Sequence, residues 1–282
     1  MRCCHVAPIV LWVAVVALAP NAGAKTTSFC GQAITPKTRT IVCTRAVHSL
    51  KPLARLEELR SLELQKGAIG DGELRHLRRL RGLERLILPA SKLRGSGLRY
   101  LRGSRNSLQI LDLSQNPLDS RRLRALATFG ALRRLDLHRT PIDDRGFSAL
   151  FHKRRKLAPI VELRLADTRI TSKSMAFVAR LSGLTDLDLT NTAVDDNGLR
   201  RLLALAALRS VKLEGSCWDE PGVARLKKLI GGRGQVSTED AVRYIDTTRV
   251  MRLPVTRNGK EQMIEHSVTT RRRLKPKHCA GR

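Results

Sequence analysis

The chain has 282 residues, 53 of them basic and 25 acidic, for a formal net charge of +28. Aromatic residues make up only 3% of it, which argues against a nucleic-acid binder that stacks bases on aromatic platforms. So large a charge creates a long-range field, and attraction to anionic surfaces stays open.

Arg2 precedes an apolar run from Val6 to Ala19, then Pro20, and Ala22-Gly23-Ala24 offers small residues before Lys25. Those features predict a secretory signal peptide over 1–24, with cleavage before Lys25 and a destination outside the cell or in the cell envelope. The run is short for a membrane span. No Asp or Glu occurs before Glu57, so a mitochondrial presequence is the alternative, although the segment is evenly apolar rather than amphipathic. Residues 25–52 are expected to form an N-terminal cap.

From residue 53 to 230 one pattern repeats. An L-x-x-L-x-L run begins at Leu59, Leu83, Leu108, Leu132, Ile160, Leu184 and Leu208. The anchors at Leu62, Leu86, Leu111, Leu135, Leu163, Leu187 and Val211 recur every 24 or 25 residues, with one interval of 28. A fixed period in this range marks a solenoid. A second apolar set follows each run, with Leu74, Leu98, Leu123, Phe147, Met175, Leu199 and Val223 leading it. Within each unit the apolar period thus changes from two to about three and a half. That change predicts one strand and one short helix per unit, in an α/β solenoid of about seven repeats. No unit buries its apolar edge alone, and stacking makes a continuous leucine column.

The stretches LRRLDLHRTPIDDRGF at Leu132–Phe147 and LTDLDLTNTAVDDNGL at Leu184–Leu199 resemble the leucine-rich repeat family, in its 24-residue ribonuclease-inhibitor-like and bacterial form. The resemblance implies a curved parallel sheet with short helices on the convex side, and it covers about residues 53–230. Asn116, Thr140, Thr168 and Thr192 fall where a polar side chain satisfies backbone groups as the chain leaves the strand. Gly67 and Ser91 occupy that place in the first two repeats. Asp119, Asp143, Thr171, Asp195 and Asp219 fall at expected helix N-caps.

Beyond the repeats, 231–270 reads as a C-terminal cap. Ser237-Thr238-Glu239-Asp240 is expected to start a short helix running through Tyr244. Asn258-Gly259 suggests a hairpin between strands at 250–255 and 262–268. Residues 271–282 form a basic tail.

Four cysteines remain after cleavage: Cys30, Cys43, Cys217 and Cys279. Two lie near each end of the repeat array, so the expected bridges are Cys30–Cys43 and Cys217–Cys279. With no C-x-x-C pair in the mature chain, no metal site is expected.

The residues between strand anchors point away from the core. They place Glu63, Arg85, Asp112, Arg134, Asp136, Arg164, Asp186 and Asp188 on the concave sheet, where they are the candidate partner-binding residues. Arg85 and Arg134 are placed to compensate the acidic line. No catalytic motif, phosphate-cradling loop or cofactor motif appears, and His138, beside Asp136, is the histidine of most interest. The expected function is non-enzymatic recognition of a protein partner, with no cofactor and no small-molecule substrate. The alternative is binding of a polyanion or an anionic membrane surface by the arginine-rich convex side and the basic tail.

Overall fold

The computed structural model describes residues 27–151, 159–238, 244–257 and 260–273. The expected signal segment lies outside the described residues, as do Lys153 to Lys156, Asn258-Gly259 and residues 274–282.

Strands β1 (Thr27–Phe29) and β2 (Gln32–Ile34) form a short antiparallel pair. Next comes β3 (Thr40–Val47), which pairs in parallel with β4 (Ser61–Gly67). Six three-residue strands continue the sheet: β5 (Arg85–Ile87), β6 (Ile110–Asp112), β7 (Arg134–Asp136), β8 (Glu162–Arg164), β9 (Asp186–Asp188) and β10 (Ser210–Lys212). Strand β11 (Gln235–Ser237) closes it. The nine strands lie in simple sequence order. Seven of them, β4 to β10, sit at the predicted runs. The other two satisfy backbone donors and acceptors that the outermost repeats would leave open.

The repeat anchors line up across the sheet. Ile41, Leu62, Leu86, Leu111, Leu135, Leu163, Leu187 and Val211 are register partners in succession, and none is more than 2% exposed. Because each strand shows one side to this column, its alternate residues face outward.

The return segments differ along the chain. Those at Lys51–Arg55, Asp71–Leu77, Ser96–Ser104 and Ser120–Thr128 are 3₁₀ helices. Later ones are helices α1 (Asp144–Ser148), α2 (Met175–Val178), α3 (Asp196–Leu202) and α4 (Glu220–Ile230). In a 3₁₀ helix, side chains at i and i+3 eclipse, so Leu74 with Leu77, and Leu98 with Leu101, both reach the core. The aspartates at the heads of α1, α3 and α4 accept hydrogen bonds from Gly146, Gly198 and Gly222 N–H respectively. In Asp143 that bond holds the carboxyl below its ordinary pKa, against the opposing effect of partial burial. Thr171 does not head α2 itself, although its hydroxyl accepts from Lys173 N–H at 3.2 Å, as the expected cap would. Its N–H and hydroxyl donate to Asp144 of the preceding repeat, at 2.8 and 2.6 Å. Helix α2 therefore starts later, after Ser174, whose side chain makes no capping bond.

Cys30 and Cys43 form a disulfide, with Cα atoms 5.9 Å apart. It ties the β1–β2 corner to the first strand of the large sheet. Cys217 is also disulfide-bonded, while Cys279 lies outside the described residues. Replacing Cys43 with serine is expected to cost about 2–4 kcal/mol, read as a lower thermal midpoint together with a newly titratable thiol at Cys30.

The C-terminal region departs from expectation. Ser237 belongs to β11, and Tyr244 begins a strand, so neither end of the predicted helix is helical. The reason is the open edge of β10, whose backbone groups β11 takes up in parallel pairing. Strands β12 (Tyr244–Arg257) and β13 (Lys260–Arg273) form an antiparallel hairpin, each strand considerably longer than the predicted segments. Pro254 sits opposite Met263, and in a two-stranded ribbon it always has an edge available.

Candidate functional site

The outward side chains of β4 to β10 form two parallel rows. One runs Ser61, Arg85, Ile110, Arg134, Glu162, Asp186, Ser210; the other runs Glu63, Ile87, Asp112, Asp136, Arg164, Asp188, Lys212. Together they carry six carboxylates and four bases, an acidic balance on a chain of net charge +28. The face differs in sign from the body that carries it.

Its two halves are wired differently. Arg85 pairs with Glu63 at 3.6 Å. In the middle, Arg134 Nε meets Glu162 at 2.5 Å. Arg164 bridges Glu162 at 2.8 Å and Asp136 at 3.4 Å. Burial disfavours the Arg164 charge, but Glu162 and Asp136 outweigh it and raise its pKa. Asp136 is only 4% exposed. One of its oxygens accepts from the backbone N–H of His138 at 3.0 Å and lies 2.8 Å from that ring's Nδ1. With Asp136 ionised, Nδ1 carries the proton, and Nε2 faces the Gln115 amide at 3.5 Å.

Among the described residues, no nucleophile stands hydrogen-bonded to this Asp–His pair. The Ser114 hydroxyl, one strand away, is buried and has no hydrogen-bond partner. Asp112 and Asp188 repeat the same local device, accepting from Ser114 and Thr190 N–H at 2.8 and 3.0 Å. Part of the acidic row is thus turn chemistry at the strand exits. Among the described residues, no basic side chain forms an ion pair with Asp112, Asp186 or Asp188.

Beside the face, Arg139, Thr140, Pro141, Asp167, Arg169 and Asn191 help line a groove of about 670 Å³. Asp167 is engaged there by Arg139 at 3.4 Å and by the Asn191 amide at 2.9 Å. The hydroxyls of Thr140 and Thr168 donate to the Leu137 and Leu165 carbonyls. Arg139, Asp167 and Asn191 have φ of 52°, 55° and 53°. They match Ala90, Gln115 and Gly215 of other repeats, so the chain leaves these strands through left-handed residues. Only one of the six is glycine, so no residue type marks the position in advance.

No family model and no curated protein matches the chain. Solved structures do. An internalin C2 from Listeria monocytogenes is 21% identical, with a TM-score of 0.55, over 75% of this chain and 87% of its own. The mouse RP105/MD-1 complex is 19% identical, with a TM-score of 0.53, over 71% of this chain. These matches join a single parallel sheet with one strand and one short helix per unit. The fold is a leucine-rich repeat solenoid. The chain spans about a third of the mouse protein it matches, 34%. In solenoid terms, the predicted candidate residues all lie on the sheet face away from the return segments. The structure brings Arg134, Asp136 and Arg164 into one network, joined by Glu162, which the candidate set omitted. Glu162 stood at the same register position as Arg134, one strand on, and that alignment was its available signal.

Proposed function

We propose that the protein is an exported, non-enzymatic recognition scaffold whose open sheet face docks a protein partner. The observation that carries this reading is the face itself: rigid, two rows wide, locally acidic, with Asp112, Asp186 and Asp188 unmatched by any described base. Fixed charges of this kind mainly set specificity and association rate. Arg134 and Arg164 stand exposed in the centre of the face and are the natural partners for acceptors on the other protein. Asp136 is not a contact in this reading. It is buried and spent on His138 and Arg164, so its replacement disturbs the sheet before it disturbs binding. Export rests on the apolar N-terminal segment and on the Cys30–Cys43 bridge, which suits an oxidising compartment.

Two measurements test the reading. Mass spectrometry of the exported chain is expected to find Lys25 as its first residue, and an intact Met1 on cytosolic protein would end the export proposal. For recognition, a photo-crosslinker replacing Arg134 is expected to trap a specific protein in the envelope fraction. One replacing Arg200, on α3, is expected not to trap it. The Asp186→Lys variant, which leaves the Asp188 bond to Thr190 N–H in place, should lower that yield severalfold with the thermal midpoint nearly unchanged. Equal trapping from both sites would remove the sheet face as the docking surface.

A further inference from the structure

The return segments at 71–77, 96–104 and 120–128 carry a second charged surface, opposite in sign to the sheet face and pointing away from it. Each follows its strand at the same interval, so equivalent residues stack. Leu74, Leu98 and Leu123 are buried, and the next residue in each segment is an exposed arginine: Arg75, Arg99 and Arg124. Arg78 and Arg102 are likewise exposed and equivalent, as are Arg81 and Arg105.

Backbone packing holds these columns close. A Cβ on Gly97 would fall 2.3 Å from the Asp71 carbonyl oxygen, and one on Gly103 would fall 2.7 Å from that of Arg78. Nothing larger than glycine fits there, so the neighbouring segments touch and their arginines cannot spread apart along the stack.

The local acids compensate little: Glu73 attracts Arg75 electrostatically, but both acids are engaged mainly by backbone and hydroxyl donors. Asp71 accepts from the N–H groups of Arg94, Gly95 and Gly97 at 3.1, 2.9 and 3.1 Å. Glu73 accepts from the Ser49 hydroxyl and Leu50 N–H, both at 2.8 Å. Among the described residues, none of the stacked arginines makes an ion pair. The contacts of Arg75 and Arg99 are with neutral groups, the His76 ring and the Tyr100 hydroxyl. Like charges fixed side by side repel, and among the described residues only Glu73, beside Arg75, offsets part of that repulsion.

We infer that this outer face of the early repeats binds a linear polyanion, with the arginine columns tracking successive anionic groups along the solenoid axis. Arginine suits the task because its planar fork donates two hydrogen bonds to a phosphate, sulfate or carboxylate group. The nearly aromatic-free composition points to the polymer's charged groups rather than to bases. A flexible chain also follows an outward-bulging surface better than a flat bilayer does. The inference is independent of the docking reading, since it uses the other side of the solenoid.

Heparin serves as the probe, titrated against the full chain at 50 and 200 mM salt. Binding is expected to weaken about a hundredfold between the two, as for roughly three released counterions. Reversing Arg75, Arg78, Arg99 and Arg102 to glutamate should remove at least about tenfold of the affinity at the lower salt. The charge-matched reversal of Arg200, Arg201, Lys227 and Lys228 should change it less than about threefold. Glutamine at the same four positions, with circular dichroism as a check, separates lost contact from lost fold. Equal losses in the two reversals would mean that net charge alone attracts heparin, and would overturn the inference. So would absence of heparin binding at 50 mM salt, or binding only to phosphatidylglycerol vesicles.

Discussion

Leu187→Ala is expected to destabilise the protein by about 2–5 kcal/mol. Leu187 is 2% exposed and stands in the column between Leu163 and Val211. Its removal takes buried methyl groups away and leaves a cavity between two close-packed layers. In a solenoid each repeat contacts only its neighbours, so the loss weakens the interfaces on both sides at once. Arg200→Ala, on the exposed side of α3, should stay within about 0.5 kcal/mol. Urea unfolding of the two variants measures the difference. Equal losses would mean that the leucine column is out of register.

Asn116→Ala is expected to cost about 3 kcal/mol or more, since each buried polar group left without a partner costs about 1–3 kcal/mol. Asn116 is 1% exposed. Its carbonyl oxygen accepts from Ser91 and Leu93 N–H, both at 2.9 Å. Its amide nitrogen donates to the Leu88, Leu113 and Ser114 carbonyls at 2.8, 3.0 and 3.0 Å. One side chain thus secures the strand exits of two repeats. Aspartate is no substitute, because it keeps the acceptors but turns a charged oxygen toward three carbonyls. Thr140→Val removes a single bond, to Leu137, and should cost nearer 1 kcal/mol. If Asn116→Ala and Thr140→Val unfold at the same urea concentration, the cross-repeat role of Asn116 is refuted.

The contrast between Asn116 and Thr140 measures how far the sequence could be read. Both were legible as polar residues at the strand exit, because the repeat puts them in the same column. That Asn116 reaches back to the preceding repeat while Thr140 bonds only within its own depends on side-chain length and on the neighbouring backbone, neither of which the pattern encodes. Thr171 is displaced from the head of α2 for a similar reason. Asp144, 27 positions earlier, takes its N–H and hydroxyl protons, while the hydroxyl still accepts from Lys173 N–H. The candidate partner-binding residues followed the same rule. Their outward direction was readable from the alternation, but the burial of Asp136 was not, since it depends on Arg164 and His138 folding over it.

The spacing of leucines by itself determined the solenoid, the register of β4 to β10 and which side chains face outward, because burial of apolar surface is non-directional and only the period has to match. The tertiary structure alone decided that β3 and β11 extend the sheet to nine strands, that the early return segments are 3₁₀ helices, and which charges pair. Those outcomes turn on hydrogen bonds and ion pairs, which are directional and act within a few ångströms, between residues one whole repeat apart in the chain.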